Sequence, residues 1–103
     1  MTLPDNFDNL SIPDQIASLM HDAGARRFEI ETAQMAHRRI GRDLLFVDAI
    51  EHDCRTALGL ALEVRRLRRG NRISDADARG KLAEGAELMR EIHRQRPNWK
   101  VRP

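Results

Sequence analysis

The chain is predicted to fold as an all-α protein: a small helical bundle built on a long antiparallel helical hairpin and self-associated as a dimer. Three observations carry that prediction. Aromatic residues are few, three phenylalanines and one tryptophan with no tyrosine in 103 residues, so leucine, isoleucine, alanine, valine and methionine must build the core, which favours helix over sheet. Between residues 44 and 69 apolar side chains recur at helical period over an arc of roughly 200°. Finally, Ser11 is followed three residues on by Asp14 and Ser74 by Asp77, the pattern of a capping serine with an acidic residue in the first turn.

Residues 1–10 read as an irregular arm, with Pro4, Asn6 and Asn9 as turn formers and Phe7 and Leu10 as docking points. Residues 11–96 form the helical domain, and 97–103 are a C-terminal tail. Ser11 opens a first helix over about 12–23 that buries Ile12, Ile16, Leu19, Met20 and Ala23, Pro13 being tolerated in a first turn. Ala25, Phe28, Thr32, Met35 and Ala36 form a second apolar stripe, turned by more than about 100° from the first. The phase change predicts a break at Gly24 and a separate helix over 25–40. Gly41 and Asp43 interrupt the chain again, Asp43 as the N-cap of the helix over 44–69. Its arc is too wide for one neighbour, so it packs between the other helices or across a dimer axis. Gly70-Asn71 closes it, and a last helix runs from Ser74 to near residue 95, ahead of Pro97. That helix buries Ala78, Leu82, Gly85, Ala86, Met89 and Ile92.

Length allows one domain with a modest core. Eighteen basic and 16 acidic residues give a net charge of only +2, so electrostatic arguments must be local. A single cysteine, Cys54, supplies neither a disulfide framework nor zinc-finger spacing and fits a reducing compartment. No apolar run reaches the roughly 20 residues that span a bilayer, and "MTLPDNFDNLS" lacks the apolar region of a signal peptide. A cytoplasmic location with no membrane partner is expected. No nucleophile–base pair, glycine-rich phosphate loop or paired catalytic carboxylates can be assembled, which argues against an enzyme. His52 and Cys54 point about 160° apart on a helix and cannot share a metal ion, so neither metal nor cofactor is expected.

The strongest local signal is "EVRRLRRGNRIS", in which Arg65, Arg66, Arg68, Arg69 and Arg72 crowd the end of the long helix. There they complement its carbonyl ends and shield Leu67 with their aliphatic stems; the alternative is a nucleic-acid surface. A second basic group, Arg94, Arg96, Lys100 and Arg102, falls at the far end of the hairpin. Asp53 lies inside the apolar arc and needs a partner. Reflecting the hairpin about its turn sets it opposite residue 90, which predicts a buried ion pair of Asp53 with His93, with Arg90 and Arg94 as further candidates. Self-association is assigned to Phe46, Ile50, Ala57, Leu58, Leu60, Ala61 and Val64.

In "MAHRRIG", residues 35–41, His37 falls on the polar side of its helix among arginines, four positions before Gly41. This stretch resembles the site of histidine phosphotransfer domains. The resemblance implies a four-helix bundle with His37 as an exposed phospho-acceptor; the lysine that the family carries three positions later is Ile40 here, with Arg39 beside it. The function expected first is that of a small non-catalytic interaction, regulatory or adaptor protein of bacterial type. It would present helical surfaces to a protein partner and pair with its own copy, with nucleic-acid binding and phosphotransfer as alternatives.

Overall fold

The computed structural model describes residues 3–42 and 45–99. Within them the chain is all-helical, with α1 over Ile12–Arg39, α2 over Leu45–Arg69 and α3 over Asp75–Gln95. Short 3-10 turns at Phe7–Asn9 and Arg96–Asn98 flank them. Contacts across the bundle set the directions. Gln34 reaches Asp48 and Cys54 reaches the Ala23 carbonyl, so α1 and α2 are antiparallel. Arg68 meets Asp75 and Lys81 meets Glu63, which makes α2 and α3 the expected hairpin in the expected register. Arg79 donates to the Leu10 carbonyl, His93 meets Asp22 and Arg96 meets Glu29, so α3 runs parallel to α1.

One seam explains this arrangement. Buried positions on α1 are Ile12, Ile16, Leu19, Ala23, Arg26, Ile30, Ala33 and His37, and on α2 they are Val47, Ile50, Cys54, Ala57, Ala61 and Val64. Both series step by alternating threes and fours, as do Ala78, Leu82, Gly85, Met89 and Ile92 on α3. That is the 3.5-residue repeat of helices packed side by side with a left-handed supercoil. Gly85 marks the closest approach: a Cβ there would sit 2.6 Å from Leu19 Cδ2 and 3.5 Å from the Ala57 carbonyl oxygen, so all three helices converge on it.

The break expected at Gly24 is absent, because the seam of α1 passes through it without a change of phase. A mid-helix glycine costs about 1 kcal/mol, which continuous packing on both neighbours offsets. The apolar stripe that suggested a second helix lies on the outer side of the same one.

The caps follow the sequence. The hydroxyl of Ser11 accepts the Asp14 amide at 3.3 Å and that of Ser74 the Asp77 amide at 3.1 Å. Gly41, at φ 67°, ends α1 while the Arg42 amide donates to the His37 carbonyl. Asn71, at φ 51°, does the same for α2, with the Asn71 and Arg72 amides donating to Arg68 and Leu67. The expected N-cap Asp43 lies outside the described residues, as do Lys100 and Arg102. The arm is tied down by Phe7, wholly buried, whose carbonyl accepts from Gln15 Nε2 at 2.8 Å.

The wide arc of α2 is covered within the chain. Ile50, Ala57, Ala61 and Val64 are buried and Leu58 and Leu60 half-buried, leaving only Phe46 of the expected self-association set exposed. With α1 on one side and α3 on the other, that set is core, so it is corrected from an interface to an internal seam. A radius of gyration of 15.0 Å exceeds the roughly 13 Å of a rounder domain this size. The molecule is therefore a slab, 48 × 25 × 15 Å, in which every helix keeps an outward face.

Candidate interaction surfaces

The interior of α1 is unusually polar, with Gln15, Asp22, Arg26 and His37 all buried. Asp22, 2 % exposed, accepts from His93 Nε2 on both carboxylate oxygens at 2.9 Å. Arg26 lies between Asp22, 4.0 Å from Nε, and Glu29, 3.2 Å from Nη1, and Arg96 donates to Glu29 at 2.6 Å. The result is a ladder of alternating charge along the α1–α3 seam, beneath the arm residues Leu3, Pro4 and Asp5.

This ladder corrects the ion pair expected of Asp53. His93 turns to α1 rather than α2, because the Asp22 carboxylate is the more deeply buried of the two acids and has the greater need of a donor. Arg90 lies 3.4 Å from Glu87 and 4.0 Å from Asp8 instead. Asp53 stays half-buried at the α2–α3 edge, beside Ile50, Glu91 and Ile92, and makes no ion pair among the described residues. Arg94 pairs locally with Glu91, whose carboxyl is held below the usual range by the Gln95 amide and by Arg94.

Cys54 closes the inner face, its thiol donating to the Ala23 carbonyl at 3.2 Å. Burial, and then the negative charges of Asp22 and Glu51, push its pKa up to about 12. The thiol is therefore protonated at neutral pH and a poor nucleophile. Because the folded value exceeds the unfolded one of about 8.5, the folded state retains a proton that the unfolded chain gives up. This contribution to stability is complete below the unfolded pKa and is lost as pH rises toward about 12. With no tyrosine and two lysines in the chain, few other groups titrate in that window. Urea unfolding midpoints are expected to fall between about pH 9 and 11, and the fall should shrink in Cys54→Ala. Aromatic disulfide reagents should label the native thiol only at the rate of unfolding.

His37 is buried, and its Nε2 donates to the Trp99 carbonyl at 2.7 Å. The exposed phospho-acceptor implied by the histidine phosphotransfer resemblance is thereby overturned: the seam phase of α1 turns His37 inward and the tail folds Trp99 over it.

The outer face of α1 carries large apolar side chains among its charged ones. At about 100° per residue, Phe28 and Met35 fall nearly in line, opposite the buried seam. They are 74 % and 56 % exposed, and Ile40, Leu45 and Phe46 add exposed apolar surface at the same end of the slab. Beside them a groove of about 550 Å³ is floored by Ala25, Thr32, Ala33 and Ala36 and walled by Phe28 and Trp99.

The arginine run gathers at the opposite end. Arg65, Arg66, Arg69 and Arg72 are exposed, and Arg68 is tied to Asp75 at 2.8 Å. The Leu67 and Arg68 carbonyls do not need them, since the Arg72 and Asn71 amides donate there. Arg65, Arg68 and Arg69 instead rim a groove of about 490 Å³ between α1 and α2, floored by Pro13, Ile16, Ala17 and Met20. The outer-face reading of Phe28 and Met35 was missed because the stripe was assigned to a separate helix; the uninterrupted spacing from Ile12 to His37 is the signal that finds it.

No protein-family model, curated protein or solved structure matches the chain.

Proposed function

We propose that the chain is a small non-catalytic interaction module, of regulatory or adaptor type, that holds a protein partner on the outer face of α1. The observation that carries this reading is the exposure of Phe28 and Met35 on the outer face of α1, with Ile40 just past its end, while Asp22, Arg26 and His37 are buried among the apolar residues of the seam. Large apolar side chains gathered on one exposed face gain nothing for the isolated fold, so their use is in contact with another surface. A second copy is the partner to test first. Antiparallel pairing of α1 about a point midway between Phe28 and Met35 sets each Phe28 against the other copy's Met35. A buried free thiol suits a reducing compartment, and no helix among the described residues is long and apolar enough to cross a membrane; we place the protein in the cytoplasm.

Sedimentation velocity on the full chain and on the Phe28→Glu/Met35→Glu variant, with partner capture by each, tests the proposal. Unfolding free energies should agree within about 0.5 kcal/mol, as for surface substitutions, while the association of the parent chain is lost in the variant. Equal association of both chains would refute the assignment, as would a loss of stability above about 2 kcal/mol, which would make the face part of the folded core.

A further inference from the structure

We infer that the arginine-rimmed groove between α1 and α2 is a second docking site, whose ligand is an acidic amphipathic helix of a partner protein. Its failure would leave the outer-face proposal untouched, because the two surfaces lie at opposite ends of the slab.

Three observations fit together. First, two of the cations are left without partners by the fold. The Arg68 and Leu67 carbonyls at the end of α2 are taken by the Asn71 and Arg72 amides, and Arg68 is held by Asp75. Arg65 and Arg69 have no acid partner among the described residues, and both are exposed. Second, the floor beneath them is aliphatic: Pro13, Ile16, Ala17 and Met20. Guanidinium groups over an aliphatic trough ask for a ligand that carries both carboxylates and hydrocarbon side chains. Third, the dimensions suit a helix. Residues 13 to 20 of α1 span about 10 Å, two helical turns, and Arg65 and Arg69 stand one turn apart, about 6 Å. A partner helix with leucines at i, i+3 or i+4 and i+7 would fill the trough, and glutamates one turn apart on its flank would meet the two arginines.

The same geometry disfavours nucleic acid. Single strands need stacking platforms, and no aromatic residue lines the groove.

Fluorescence anisotropy on the full chain tests the inference. The probe is a labelled helix-forming peptide of about four turns with a leucine stripe flanked by glutamates. The expected result is saturable binding that weakens about tenfold or more in Arg65→Ala/Arg69→Ala, whose circular dichroism matches the parent. Binding should also be blocked in Ala17→Trp, which fills the trough, and should be unchanged in Arg38→Ala/Arg39→Ala at the other end. Loss of binding by a peptide with serines for leucines, and by one with glutamines for glutamates, would show that both parts of the ligand are read. The inference is overturned if the peptide does not saturate, if the glutamine peptide binds equally, or if the control variant loses as much. It is likewise overturned if mixed-sequence single-stranded DNA or phosphatidylglycerol vesicles bind through Arg65 and Arg69 more tightly than the peptide does.

Discussion

Replacing His93 by alanine is expected to cost about 2–3 kcal/mol, the penalty for leaving a buried acceptor, here the Asp22 carboxyl, without its donor. Asp22, 2 % exposed, would be left with Arg26 Nε, 4.0 Å away, as its nearest polar partner. For a domain whose total stability is of the order of 5–15 kcal/mol, that is a large share. Urea unfolding measures it as a lower midpoint at unchanged slope. A double replacement, Asp22→Leu with His93→Leu, should recover most of the loss, because no buried polar group is then left without its partner. A cost below about 1 kcal/mol for His93→Ala would mean that Asp22 is solvated and that the charge ladder is a surface feature.

Trp99→Ala is expected to have a larger effect, about 3–5 kcal/mol. The indole is wholly buried beyond the end of α3 and walls the groove beside Phe28. Trp99→Phe should cost far less. The buried indole Nε1 has no hydrogen-bond partner, so removing it relieves a desolvation penalty of about 1–3 kcal/mol that offsets the smaller ring. As the sole tryptophan, Trp99 also reports on itself: native emission should be blue-shifted and should move to the red on unfolding. Native emission already at the wavelength of free indole in water would show that the tail is not docked.

Much of the architecture was legible in the sequence. The seams of α2 and α3, the serine caps, the turn at Asn71 and the hairpin register all follow from spacing and from backbone chemistry at single residues. Alpha-helix α1 was misread because hydrophobicity, rather than spacing, set the phase. Phe28 and Met35 drew the stripe outward, while Arg26 and His37 hid the inward one. The partner of His93 was misassigned for a related reason. Reflecting a two-helix hairpin leaves the third helix out of account, and the deepest acid, Asp22, lies on that helix. The arginine run lies where the sequence put it, with Arg66, Arg68 and Arg69 in the last turn of α2, while the Asn71 and Arg72 amides take the Arg68 and Leu67 carbonyls.

The ladder between α1 and α3 also bears on how the chain acquires its shape during synthesis. Asp22, Glu29 and His37 find His93, Arg96 and Trp99 at separations of 71, 67 and 62 residues. At translation rates of about 5–20 residues per second, α1 leaves the ribosome several seconds before its polar groups can be satisfied. The α1–α2 hairpin can zip through local contacts during that interval, but with charged side chains still facing an open flank. Closure therefore waits for α3, which would make the nascent hairpin a natural client for chaperones until His93, Arg96 and Trp99 have emerged.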